Sequence, residues 1–254
     1  LLEESTASHL PNAVGYDLNS LGQKADVIII IGGDGTTLGI ARRMSRYQLP
    51  IIAINAGRLG FITDFTLEEM AESLPPLLQG HYQKDTRAML SAKLYRQSQL
   101  IWEHTAVNDV GITHGLAGSM VEFNVWVDEK PMATQRADGI IVASATGSTA
   151  YAMAAGGPIL HPSLSTMTLV PVAPHSLTNR PIVLPSTSSV DIELLEAREA
   201  AAYCDMQDFN PMLAGDILRI RSIPNAFTLL HPVNHNHYDT LRQKLYWNRM
   251  PSDN

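Results

Sequence analysis

One cysteine among 254 residues leaves this chain without an intrachain disulfide. That residue, Cys204, lies between Tyr203 and Asp205 in a strand-like stretch and reads as a small core residue. Positive charge is also scarce. Lys and Arg number 18 against 25 Asp and Glu, for a net charge of −7, which argues against a general nucleic-acid binder. Any anionic substrate must therefore be attracted by local groups. No apolar stretch approaches the ~20 residues of a membrane span, and no basic-then-apolar segment opens the sequence, so a cytoplasmic setting without membrane contact is expected. The chain has no GxxxxGK[ST] phosphate loop, no internal repeat and no low-complexity segment. What remains is 45% hydrophobic, enough for one large or two modest domains with ample core.

The most informative segment is VIIIIGGDGT, Val27 to Thr36. A β-branched run without polar alternation reads as a strand buried on both faces, and it ends in glycines that let the chain turn tightly and a ligand approach bare backbone. A helix is expected over Leu38 to Tyr47. Such a strand, turn and helix start hold phosphate oxygens, which makes Gly32, Gly33, Gly35 and Thr36 a candidate phosphate loop. Asp34 would repel phosphate, so it suits a base, a hydroxyl acceptor or a metal partner beside the phosphates; the plain alternative is a helix cap near Thr36. A second strand (Pro50 to Asn55), a glycine-bearing loop (Ala56 to Phe61) and a helix (Leu67 to Leu78) continue an α/β unit with parallel strands.

From about Arg87 the segments shorten and alternate, as in Met89 to Arg96, Met120 to Asp128 and Ser189 to Leu195, and this half is predicted to be mostly β. The expected domains are therefore 1–86, α/β, joined by a C-terminal segment 236–254, and 87–235, β-rich. Tyr238 to Trp247 reads as a short helix anchored by Leu241, Leu245 and Trp247. The opening LLEESTASHL looks like the end of a strand, so the first strand and helix of an α/β domain are expected upstream of it.

Two further places carry chemistry. In Asp138 to Pro162, a buried strand (Ile140 to Ala143) leads into the hydroxyl-rich turn Thr146 to Thr149 and the helix former Ala150 to Ala155, closed by Gly156-Gly157. Ser148 and Thr149 either cap that helix or bind a sugar or base beside it, with Tyr151 offering ring or hydroxyl; the alternative is a helix packed through its alanines. Asn108-Asp109 interrupts an apolar run, as a ribose-binding amide and carboxylate or as a plain turn. Arg136 and Asp138 bracket the following strand. The histidines at 231, 235 and 237, interrupted by Pro and Asn, read as a solvated turn, and no protein-only metal site is expected.

GGDGT at Gly32 to Thr36, NAGRLGF at Asn55 to Phe61, Asn108-Asp109 and DGIIVASATGSTAYAMAAGGPI at Asp138 to Ile159 together resemble the NAD kinase family, with the resemblance running on through Cys204 to Gln207 and His231-Pro232. The glycine-aspartate loop also occurs in lipid kinases and 6-phosphofructokinases, whereas TGSTAY joined to AGGP is more particular. Ala143-Ser144-Ala145 stands where the family more often has Thr-Pro, and Asp109 where many members carry Glu. The resemblance implies a two-domain fold, an N-terminal parallel-sheet α/β domain and a C-terminal β-rich, sandwich-like domain. It implies phosphorylation by ATP with magnesium, or another divalent metal, of the 2′-hydroxyl of the adenosine ribose of NAD. The products would be NADP and ADP. Asp34 would be the general base beside Gly35; Asn108 and Asp109 would hold the dinucleotide; Thr149, Ala150, Tyr151, Ala152, Met153 and Ala154 would surround adenine and ribose. Ser119, Arg136, Asp138, Ala173 and Gln207 would line the same site. A homodimer or homotetramer is implied, and the motifs, drawn from both halves, place the expected site between them.

Overall fold

The computed structural model describes residues 1–57, 60–115 and 120–247. The chain divides into two compact units, Leu1–Thr86 with Ala226–Asn254, and Arg87–Asn225. The return to the first unit thus begins at Ala226, inside a strand, and not at 236.

In chain order the first unit starts with β1 (Leu2–Glu3), α1 (Glu4–Ala7), β2 (Gly15–Tyr16) and α2 (Leu18–Lys24), the last capped by Asp17, which accepts from the Ser20 amide. Next come β3 (Ile28–Gly32), α3 (Asp34–Met44), β4 (Pro50–Asn55), β5 (Phe65–Thr66) and α4 (Met70–Leu78). β3 and β4 pair in parallel from Ile28↔Ile51 to Gly32↔Asn55, so both end at the same edge. β4 is buried through Ile51–Asn55, as a parallel strand covered on both faces should be. β3 departs from that expectation. Its alternation puts Ile30 inward, while Ile29 and Ile31 share the other face at 41% and 53% exposure. α3 begins four residues ahead of the predicted Leu38, and α4 three residues after Leu67.

The 15-residue β6 (Tyr82–Arg96) carries the chain into the second unit. There follow β7 (Gln99–Ala106), β8 (Asp109–His114), β9 (Val121–Val127), β10 (Lys130–Ala137), β11 (Gly139–Ser144), α5 (Tyr151–Ala154), β12 (Thr166–Val172), β13 (Ile182–Pro185), β14 (Ser189–Glu196), β15 (Ala200–Cys204) and β16 (Asp208–Met212). β17 (Ile217–Pro232) returns to the first unit, pairing antiparallel with β14 through Arg221↔Ser189 and later parallel with β4 through Thr228↔Pro50. α6 (His237–Leu245) closes the order.

β13-β12-β11-β8-β15-β16 form one six-stranded antiparallel sheet. Its inward residues, among them Val110, Ile112, Ile140, Val142 and Ala202, share one core with Phe123, Val125, Ile192, Leu218 and Ile220 of β9, β14 and β17. This is sheet packed on sheet, each strand turning alternate residues inward. Three hairpins turn at two successive left-handed residues, Gln97-Ser98, Asp128-Glu129 and Asp205-Met206, the last with Gln207 as a third loop residue, and that twist suits antiparallel strands. Cys204 is fully buried in this core, as expected.

Candidate active site

In the first unit, β3 delivers its C-terminal glycine directly to the start of α3. Gly33 is the N-cap, with φ −90° and ψ −178°, and Asp34 is the first helical residue. The helix start is exposed at Gly33, Gly35 and Thr36, so its positive end faces outward from the end of the parallel strands. A Cβ on Gly33 would meet nothing within 4 Å. Asp34 is not a helix cap near Thr36. Its Oδ2 accepts from the Phe61 amide at 2.7 Å and its Oδ1 from the Ile62 amide at 3.3 Å. Each oxygen keeps a lone pair for another donor. Gly60 is required by the same contact, since a Cβ there would stand 1.7 Å from Asp34 Oδ1. The register Gly32↔Asn55 brings the two glycine-bearing loops side by side, and buried Asn55 donates to the Gly57 carbonyl at 2.5 Å. Arg58 and Leu59 of that loop lie outside the described residues.

In the second unit, three neighbouring strands end at one edge: β8 begins at Asp109, which pairs with Ala143 of β11, while Val110 pairs with Cys204 of β15. Asp205 follows and gathers the turn. Its carboxylate accepts from the amides of Val107 (2.9 Å), Asn108 (2.7 Å) and Asp109 (3.1 Å). Ser144 donates to the Val107 carbonyl at 2.6 Å and accepts from the Gly147 amide, and a Cβ on Gly147 would stand 2.0 Å from the Asn108 carbonyl oxygen. Asn108-Asp109 is therefore a turn, but a built one. The Asp109 side chain is buried, and its Oδ1 has no hydrogen-bond partner among the described residues. Burial, and then the Asp205 charge, push its carboxyl up to about 7. The fully buried Tyr203 hydroxyl is likewise unpartnered, and burial and Asp109 raise its pKa well above the usual phenol value. A buried carboxyl oxygen and a buried hydroxyl have a capacity for hydrogen bonds that the described residues do not use.

α5 lies across the sheet through Ala152, which packs with Ile141, Ala143 and Val170. Ala152 is thus core, Ala154 is exposed, and Met153 and Ala150 are half-buried. Ser148 and Thr149 do not cap α5. Ser148 is buried, donates to the Ala145 carbonyl and accepts from the Leu160 amide, while Thr149 turns back to the Thr146 carbonyl. Tyr151 stands 6.5 Å from the Tyr203 ring, and burial, followed by the charges of Asp109 and Asp138, raises its pKa. Asp138 precedes β11 at the other end of the strand from Asp109, a span of roughly 16 Å at the usual strand rise. Ala173 is beside it, left-handed at φ 43°, after Val172 accepts from the Asp138 amide. Arg136 is mostly exposed and reaches Glu122 at 3.8 Å, on the other sheet. Gln207 is exposed in the hairpin after Asp205. Ser119 lies outside the described residues.

Reading the sequence missed Asp205, Tyr203, and Arg87, which is buried and donates to Thr146 Oγ1 at 3.1 Å. Only the polar break after the apolar run ending at Cys204 was available for the first. The histidine stretch was also misread, because His231 is buried between Asp64 and Asp85. Trp247 is 58% exposed, whereas Leu241 is buried. A cavity of about 540 Å³ between Asp17, Asn19, Arg42, Arg43 and Arg46 lies at the far end of α3 from Asp34 and takes in none of the expected residues.

Comparisons with known proteins fit this geometry. The ATP-NAD kinase N-terminal domain matches residues 5–82 and the ATP-NAD kinase C-terminal domain residues 107–231. The chain is 47% identical over 251 residues to an NAD kinase of Cupriavidus pinatubonensis, covering 99% of this chain and 82% of that one. It is 44% identical to an NAD kinase of a Polaromonas species, with 97% and 86% covered. Among solved structures, an NAD kinase from Archaeoglobus fulgidus in complex with ATP superposes with a TM-score of 0.74 at 26% identity, covering 89% of this chain and 85% of that chain. Yeast NADH kinase complexed with NADH shares the fold with a TM-score of 0.84 at 22% identity, over 100% and 76%. With both domains matched and relatives this similar over nearly its whole length, the chain belongs to the ATP-NAD kinase family.

Proposed function

We propose that this NAD kinase transfers the terminal phosphoryl group of ATP to the 2′-hydroxyl of the adenosine ribose of NAD, giving NADP and ADP, with Asp34 accepting the hydroxyl proton. The observation that carries this reading is the setting of Asp34. Two backbone amides hold its carboxylate in one orientation at the exposed N-terminal end of an eleven-residue helix, with bare glycine backbone on either side. Phosphoryl transfer asks mainly for positioning and charge stabilisation, and a fixed carboxylate orients a hydroxyl and takes its proton as the new P–O bond forms. The open space at Gly33 and the remaining oxygen lone pairs of Asp34 suit a magnesium ion carried on the ATP phosphates. Such an ion neutralises phosphate charge that Asp34 would otherwise repel.

Asn108, Asp109, Tyr151, Asp138 and the exposed face of α5 at Ala154 are assigned to the dinucleotide. The unpartnered Asp109 Oδ1 supports this, since a ribose hydroxyl would complete it. β13 presents exposed Ile182 and Val183 at a sheet edge, which supports a homodimer or homotetramer. No described helix is long and apolar enough to cross a membrane; the buried Cys204, which has no second cysteine in the chain to pair with, is compatible with a reducing cytoplasm.

Asp34→Asn tests the assignment, because the amide keeps a hydrogen-bonding oxygen and cannot take a proton. Turnover measured as NADP formation from NAD, ATP and magnesium should fall ~10²–10⁴-fold, with NAD affinity nearly unchanged by calorimetry. Near-normal kcat would remove Asp34 from the base role.

A further inference from the structure

Asp64, His231 and His235 form a cluster within the first unit that the phosphoryl transfer above does not use. Asp64 stands in the loop between β4 and β5, His231 near the end of β17, and His235 in the turn before α6, where its amide donates to the Pro232 carbonyl at 2.9 Å. The Asp64 carboxylate is shared between two imidazoles. Oδ2 lies 2.6 Å from His231 Nδ1 and Oδ1 lies 3.0 Å from His235 Nδ1. The rings stack with centroids 4.0 Å apart and planes 13° from parallel. One ligand atom from each of the three residues falls within 4.8 Å of the others, and the side chains are 5%, 3% and 20% exposed.

Two features distinguish this from an ordinary buried ion pair. The first lies behind His231, where Nε2 is 3.2 Å from Asp85 Oδ2. A ligating histidine characteristically donates its second N–H to a carboxylate, which fixes the tautomer and leaves the other nitrogen bare toward the ion. Here that leaves Nδ1, on the Asp64 side, to bind an ion in place of its proton. The second is the donor set. Two imidazoles four residues apart in sequence and one carboxylate match zinc-class ions, whereas magnesium and calcium take oxygen ligands. Ligand atoms ~2.0–2.1 Å from a tetrahedral ion stand about 3.3 Å apart. The observed separations of 2.6 and 3.0 Å need only sub-ångström opening, with the ion replacing the protons that now bridge the groups.

We propose that Asp64, His231 and His235 bind one zinc-class divalent cation per chain, through the carboxylate and the two Nδ1 atoms, with Asp85 positioning His231. Water fills the remaining coordination position. Histidine separation in sequence sets the local geometry, and Asp64 completes the site from a distant segment.

The full chain, stripped with EDTA, is titrated with cobalt(II) and followed by its visible ligand-field bands, then challenged with zinc. One equivalent should give the bands, and zinc should displace them. His235→Ala, at the most exposed ligand, should lower the affinity at least a hundredfold. Asp85→Asn should lower it ~10–100-fold and keep the one-to-one stoichiometry. His237→Ala, outside the cluster, should change neither. A thermal melt checks that each variant is folded, and His235→Gln replaces His235→Ala if that variant is not. Absence of bands at one equivalent in the parent protein overturns the proposal, as does binding that survives loss of His235 or disappears with His237.

Discussion

Asp34 and Gly60 act as a pair: the carboxylate is fixed by amides of the loop, and the loop comes close enough only because residue 60 has no side chain. Gly60→Ala must push that loop away from Asp34. Misplacing a reacting group by about 1 Å typically costs ~10²-fold, so kcat should fall on that order while circular dichroism stays unchanged. Unaltered kcat would show that the loop does not orient the base. Asp109 presents a pH-dependent case. Its carboxyl titrates at about 7 in the folded protein against 3.8 for the ordinary group, so folding favours the protonated form. Below pH 3.8 both states are protonated and ionisation costs nothing. As pH rises towards and through 7 the folded state loses stability, to a limit on the order of 4 kcal/mol. Asp109→Asn removes that cost, so its melting temperature without ligand should exceed the parent's at pH 8 by clearly more than at pH 4.5. Equal differences at both pH values would refute the assigned shift.

At the scale of elements, α5 separates two neighbouring alanines by one property, the face on which each sits. Ala152 fits against Ile141, Ala143 and Val170, and Ala154 faces out. Ala152→Leu overpacks the core and should cost ~1–3 kcal/mol of stability. Ala154→Leu should leave the melt unchanged and weaken NAD binding about tenfold, equivalent to ~1.4 kcal/mol, if the dinucleotide lies on the exposed face. Calorimetric titration and a thermal scan of both variants separate the outcomes, and unchanged affinity in Ala154→Leu would move the ligand elsewhere. α3 shows a different lesson. Its start was expected at Leu38 because the glycines were assigned to a turn, but Gly33 serves as N-cap and Asp34 to Thr36 already form the first turn. Glycine composition is a weak helix signal, overridden here by the parallel strand that delivers the chain to the helix start.

For the whole molecule, the two units differ in how the chain builds them. Arg87–Asn225 is continuous and holds the sandwich core, so as a fragment it should fold with a cooperative melt. Residues 1–86 alone lack Leu230, a member of the core cluster with Ile52, Ile54 and Phe65, and lack the β17 partner of β4. That fragment should stay largely unfolded by circular dichroism until supplied with 226–254. A cooperative melt of 1–86 by itself would show that the returning segment is dispensable. The boundary near residue 86 was legible from the shift to short alternating segments. The return at Ala226 was not, because β17 runs on through it, and the Pro224-Asn225 pair just before, with Asn225 left-handed at φ 49°, stands inside a strand instead of ending one.

The sequence by itself determined what depends on neighbours along the chain: the β-branched strand ending in glycines, the alternation of the second half, the buried Gly139–Ser144 strand before its hydroxyl turn, and the motifs that identify the family. These are local patterns, and local periodicity reports them. Only the tertiary structure decided which distant groups meet. Asp205 reaches amides 96 to 98 residues away, Asp34 is held from 27 and 28 residues away, and Asp64 meets His231 across 167. Each of these acids is an unremarkable polar residue in its own segment. Strand pairing and chain return bring its partners to it, and neither is encoded in the periodicity of the segment that carries the acid.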